Sequence, residues 1–172
     1  PMAIFVGSLN PSVNAIGNII RGNKIGSETD SLIAWGIQSQ YTKNTIIENN
    51  IVQNIRYLNN YFSVGINSYV SNGDIIRNNV VHNIYSSAGI YGGIGIMLSG
   101  DPGLIGSNSL VYNNMVYDIG GSSPAPDSRV AGIQMWNQNN PKIYYNTVYL
   151  YGNGTNPLGS AALCMVWGSN TN

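Results

Sequence analysis

Residues Asn44–Ile55 read NTIIENNIVQNI, and the same order of residue types returns along the chain. It recurs as DIIRNNVVHNI at Asp74–Ile84, as SLVYNNMVYDI at Ser109–Ile119, more loosely as PKIYYNTVYLY at Pro141–Tyr151, and earlier as NIIRGNKIGSE at Asn18–Glu28. Aligned, these stretches share an apolar column of Ile20, Ile47, Ile76, Val111 and Ile143, and a second of Ile25, Val52, Val81, Val116 and Val148. Between them runs an unbroken column of Asn23, Asn50, Asn79, Asn114 and Asn146. Self-similarity at a period of roughly 27–35 residues marks a repeat architecture, in which each unit buries its apolar face against the next.

A Gly-Ile step stands upstream of each Asn-rich stretch, at Gly36-Ile37, Gly65-Ile66, Gly95-Ile96 and Gly132-Ile133. Ala3-Ile4 and Ala162-Leu163 hold the same place at the two ends. Each repeat therefore carries three short segments: the Gly-Ile strand, the strand entering the Asn column and the strand leaving it. None is long enough for a helix, and their β-branched content favours strand. Three strands per repeat, each stacked on its counterpart in the next, predict an all-β parallel β-helix over residues 1–172, with about five to six coils. Parallel crossovers are overwhelmingly right-handed, so a right-handed coil is expected. Alternation turns Ile37, Ile66, Ile96 and Ile133 inward, with Ile47, Val52 and their equivalents completing a triangular core. The Asn column falls at the turn between the second and third strands. A stacked inward Asn there satisfies backbone groups that a tight buried turn otherwise leaves unpaired.

Composition narrows the classes of function. Charged residues are 8% of the chain and the formal net charge is +0. A nucleic-acid partner needs a basic stripe, and a polybasic membrane anchor needs a cluster; neither is present. Apolar residues at 43% supply enough material for a core, which sets the chain apart from low-charge disordered sequences. Cys164 is the single cysteine, so neither an internal disulfide nor a cysteine zinc site can form. No apolar run approaches the ~18 residues of a membrane span, and no membrane insertion is expected. The opening Pro1-Met2-Ala3-Ile4 is already strand-like, and neither end offers a polar cap. The expectation is an excerpt of a longer protein, continued by further coils or abutted by other copies at both ends.

The IxxNNxVxxNI pattern resembles the right-handed parallel β-helix repeats of the pectate lyase-like superfamily. It is most similar to the non-enzymatic, Asn-rich repeats of large secreted bacterial surface proteins. The resemblance covers nearly the whole chain and implies an extracellular or cell-surface location. In that superfamily the enzymes bind polysaccharide in a groove made by the first strand and the loops after the third. Here those loops are the Gly-, Ser- and Pro-rich stretches at 85–93, 120–130 and 151–160.

The residues that such chemistry needs are not gathered on the first strand. Its outward column is Phe5, Gln38, Asn67, Met97, Gln134 and Cys164. A lyase of this kind requires acidic calcium ligands beside an Arg or Lys, and a hydrolase requires two facing carboxylates. Asp30, Asp74, Asp101, Asp118 and Asp127 fall instead in turns or at strand starts, in different columns. No catalytic residue, metal or cofactor is expected. The second strand's outward column, Arg21, Glu48, Arg77, Tyr112 and Tyr144, is expected to be a solvated ion-pair ladder with Arg77 lying over Tyr112. His82 is expected to be an exposed surface residue. An outward apolar column of Ile19, Ile46, Ile75 and Leu110, with Ile51, Val80 and Met115 across the turn, suggests a covered surface.

Tyr and Trp rings stack on sugars while amides bond hydroxyls. Gln38, Asn67, Gln134 and Trp136, with Tyr61 and Tyr91 on the adjoining loops, are therefore the candidate carbohydrate-binding residues. The functional expectation is a non-catalytic extracellular or cell-surface scaffold for adhesion or polysaccharide binding. Two alternatives stand beside it: a fragment of a polysaccharide lyase or glycoside hydrolase, and a self-assembling filament or sheath subunit.

Overall fold

The computed structural model describes residues 2–27, 29, 34–57, 63–86, 92–122, 129–150 and 159–166. All helix- or strand-forming residues among them are in β-strands. The first sheet has six strands: Met2–Gly7, Trp35–Gln40, Val64–Tyr69, Ile94–Ser99, Val130–Trp136 and Ser160–Val166. The second has five, Ile19–Arg21, Ile46–Glu48, Ile75–Arg77, Leu110–Tyr112 and Lys142–Tyr144. The third also has five, Lys24–Ile25, Ile51–Tyr57, Val80–Ser86, Met115–Gly121 and Thr147–Tyr149. Neighbours in each sheet come from consecutive repeats and pair in parallel. The chain thus visits each sheet in turn and climbs by one strand per circuit, which defines a parallel β-solenoid.

Register places like on like. Ile37, Ile66, Ile96 and Ile133 are paired in sequence across the first sheet. Ile47, Ile76 and Val111 stack in the second, and Val52, Val81 and Val116 in the third. These side chains form one continuous buried cluster along the axis. A parallel ladder sets coils about 4.8 Å apart, so each isoleucine meets its counterparts above and below. A fourth, minor ladder, which the repeat pattern does not show, follows the first sheet. It links Ala15–Ile16 to Thr42–Lys43 and Gly106–Ser107 to Gln138–Asn139, with Asn72 bridging between.

The turns explain much of the asparagine content. Asn49, Asn78 and Asn113 each have φ of 54°, and the matching Gly22 has 69°. Asn44, Asn108 and Asn140, at 56°, 55° and 52°, turn the chain into the second sheet. Asn54, Asn83 and Asp118, at 54°, 53° and 54°, bend the third strand. Asn and Asp enter this left-handed region more readily than other side-chain-bearing residues. The Asn pair in each repeat is therefore divided in its work: the first residue turns the chain and the second faces inward. Val70 (φ 47°) and Tyr145 (φ 54°) hold the same backbone shape without that advantage.

The Gly-Ile step has a packing cause. A Cβ placed on Gly65 falls 2.4 Å from Val81 Cγ1 and 2.6 Å from the Gly95 carbonyl oxygen. On Gly95 and Gly132 it falls 2.3 Å from Val116 Cγ1 and 2.2 Å from Val148 Cγ1. Valines of the third sheet lean directly on first-sheet backbone, and only glycine leaves them room.

Candidate functional site

Three polar systems run through or beside this core. The first is the asparagine column. Asn50 Oδ1 accepts from the backbone N and the Nδ2 of Asn23, both at 2.9 Å. Asn79 serves Asn50 in the same way at 3.0 and 3.0 Å, and Asn114 serves Asn79 at 3.0 and 3.0 Å. Asn146 continues the series to Asn114. Each Nδ2 also reaches back one coil, from Asn50 to Ile20 O at 3.0 Å, and from Asn79 to Ile47 O and Asn114 to Ile76 O at 2.9 Å. Asn50, Asn79 and Asn114 are buried, while Asn23 and Asn146 are partly exposed. An amide suits this place because its oxygen accepts from the preceding coil while its two N–H groups donate one to each neighbouring coil.

The second system is the outward column of the second sheet. Its ion pairs are solvated on the arginine side only: the Arg21 and Arg77 side chains are 56% and 35% exposed, while Glu48 is 3% exposed. Arg77 Nε donates to Glu48 Oε2 at 2.6 Å and Arg21 Nε to Oε1 at 2.5 Å. The Arg77 hydrogen bond, and then that of Arg21, hold the Glu48 carboxyl below its ordinary range against the opposing pull of burial. Arg77 does not lie over the Tyr112 ring. Its Nη1 donates to Tyr112 Oη at 2.9 Å, and Tyr112 stacks on Tyr144 with centroids 5.1 Å apart. The cause of the burial is register, since Arg21, Glu48 and Arg77 are direct neighbours and the two arginines close over the acid.

The third system was hidden in the sequence. Asp74 stands at the start of the strand Ile75–Arg77, as expected, but it is 0% exposed, inside the coil. Ser39 Oγ, Thr42 Oγ1 and Ser68 Oγ reach its Oδ2 at 2.9, 2.8 and 3.1 Å, and the Thr45 amide donates to Oδ1 at 3.0 Å. Thr42 Oγ1 and Ser71 Oγ are 2.9 Å apart, and Ser39 Oγ and Thr42 Oγ1 are 2.7 Å apart. Burial pushes the Asp74 carboxyl up, and the hydroxyl and amide donors pull it back only in part. A usable signal existed: Ser39 and Ser68 each stand two residues after an inward isoleucine, so alternation already turns them inward.

The candidate sugar-binding row requires a correction. Gln38, Asn67 and Gln134 are 1%, 2% and 3% exposed, and Trp136 is only partly exposed. Their amides do not form an open shelf. Asn67 Nδ2 donates to Gln38 Oε1 at 2.9 Å, Ser99 Oγ donates to Asn67 Oδ1 at 2.9 Å, and Gln38 Nε2 donates to Gln40 Oε1 at 3.1 Å. Beside them Val64, Ile94, Met97, Ala131 and Cys164 form a second apolar cluster, flanked by Trp35 and Trp136. The first sheet is thus buried on both faces, as all-parallel sheets commonly are, and alternation cannot tell which face meets water. Tyr61 and Tyr91 lie outside the described residues.

His82 is half-buried rather than exposed. It stacks on Tyr117 with centroids 4.6 Å apart and shares a hydrogen bond with Gln53 at 3.1 Å. In the outward apolar columns Ile19, Ile51 and Met115 are exposed, and Ile46, Ile75, Leu110 and Val80 are partly so. Among the described residues no three His, Cys, Asp or Glu side chains are grouped to hold a metal ion. The chain matches no family model, no curated protein and no solved structure. The class defined by fold and columns is a parallel β-solenoid with a polar spine.

Proposed function

We propose that this chain is a non-catalytic scaffold, part of an extracellular or cell-surface protein that serves adhesion or extracellular assembly. On this reading it is a right-handed β-helix related to the pectate lyase-like superfamily, with coils or other copies continuing the stack. One observation carries the proposal: the side chains of the asparagine column, and those of the Arg21–Glu48–Arg77 row, bond to one another along the axis. The Asn column fills its amide capacity internally, and both Glu48 oxygens are held by guanidinium groups. Groups committed in this way support a rod and are poorly placed to act on a substrate.

Incubation with a panel of neutral and acidic polysaccharides, with and without calcium, tests this. Intact polysaccharide throughout is the expected result; release of reducing ends or unsaturated products would instead make the chain a fragment of a glycan-cleaving enzyme. Location is checked separately, by asking whether protease added to intact source cells removes an epitope in this chain. Retention of the epitope inside the cells would overturn the surface assignment.

A further inference from the structure

We propose that Asp74 and the hydroxyls around it form a proton-linked lock, which holds its coil most firmly in acid solution, where the carboxyl carries a proton, and loosens it as rising pH removes that proton. The argument begins with what surrounds the carboxyl. Ser39 and Ser68 come from adjacent strands of the first sheet, Thr42 and Ser71 from the corner after it, and Thr45 from the coil below. All are neutral. Lys43 is exposed, and Glu48 and Arg77 belong to the outward face of the second sheet, engaged with each other. Tyr69, the titratable neighbour of Ser68, turns to the opposite face of its strand and donates to Asp101. No described cation therefore compensates Asp74.

Oγ–Oγ separations of 2.7 and 2.9 Å show the hydroxyls bonded directly to one another and to the acid. Three hydroxyls and one amide stand within reach of the anion, but Ser39 and Thr42 have only two protons for the acid and for each other, and a carboxylate wholly removed from water and lacking a counter-charge is held at a cost. A proton relieves that cost without disturbing the packing. Hydroxyl groups rotate, so Ser39, Thr42 or Ser68 can reverse from donor to acceptor when the acid itself becomes a donor.

The direction follows from linkage. Burial pushes the folded-state carboxyl above its ordinary value of 3.8. A group of this kind contributes its full stability below the unfolded value and loses it as pH rises through the folded value. Each unit of separation between those values changes the folding constant about tenfold. Glu48 acts in the opposite sense, so its contribution must be removed from the measurement.

The test compares Glu48→Gln with the double variant Glu48→Gln/Asp74→Asn by thermal unfolding over a pH series that starts below 3.8 and rises to neutral. The single variant is expected to lose stability relative to the double variant as pH rises above 3.8. Parallel curves would overturn the proposal. Should the double variant fail to fold, carbon NMR of the Asp74 carboxyl in the wild-type chain decides the question. Titration above 3.8 supports the lock, and titration at or below 3.8 overturns it.

Discussion

Glu48 and Asp74 are carboxylates almost removed from solvent, at 3% and 0% exposure, and although burial pushes both up, their proton affinities end on opposite sides of the ordinary value. Glu48 stands on the outer face of the second sheet between Arg21 and Arg77, which hold its proton affinity down. Asp74 stands inside the coil among hydroxyls and one amide, and its proton affinity rises. Dipoles alone do not replace a counter-charge, even when three hydroxyls and one amide stand within reach. The neighbouring asparagine spine avoids the problem by using a neutral amide at every level.

The strongest way to break this comparison is to place a third carboxylate where the donors are absent. In Asn79→Asp an oxygen replaces the Nδ2 that now faces Ile47 O and Asn114 Oδ1, both acceptors. A loss of about 3–5 kcal/mol at neutral pH is expected, with part recovered in acid. Chemical denaturation at two pH values measures it, and a loss independent of pH would show that the acid is not facing acceptors. Asn79→Ala removes the amide without adding charge. It strands the Asn50 donors and Ile47 O, at about 1–3 kcal/mol and with no new pH dependence.

A corner substitution supplies the control. Val70 is β-branched in the left-handed region, where Asn is at ease. Val70→Asn should raise stability by about 1 kcal/mol and move the acid and neutral limbs together. Unequal movement would mean that the Val70 side chain is coupled to one of the carboxylates. The smallest effect is expected from Glu48→Gln, a loss at neutral pH that disappears in acid solution. Glu48 is held below its ordinary range, so its contribution is present at neutral pH and lost as pH falls through the folded value. The variant should therefore show a flatter acid limb in a melting series; an unchanged limb would remove Glu48 from the account of acid unfolding.

The repeat, the three principal sheets and their inward columns were legible in the residues alone. Ile47, Ile76 and Val111 recur because a stack of coils imposes the same inner environment at every level, and a repeated environment leaves a repeated letter. The Gly-Ile step and the Asn pair are legible for the same reason, although their causes, the valine contacts at Gly65 and Gly95 and the left-handed turn at Asn49 and Asn78, are visible only in three dimensions. The faces were a different matter. Gln38, Asn67 and Gln134 alternate out of the core as their sequence requires, yet they are buried, in a face where the same sheet's Val64, Ile94, Met97, Ala131 and Cys164 form a second cluster. Asp74 shares its column with Thr45 and Ser109, and nothing in that column alone announces an acid closed in by Ser39, Thr42 and Ser68 from other strands. Periodicity follows from what each coil does to its own residues, and it can be read along the chain. Solvent exposure and proton affinity depend on which distant segments close over a group, and those are set when the coils pack.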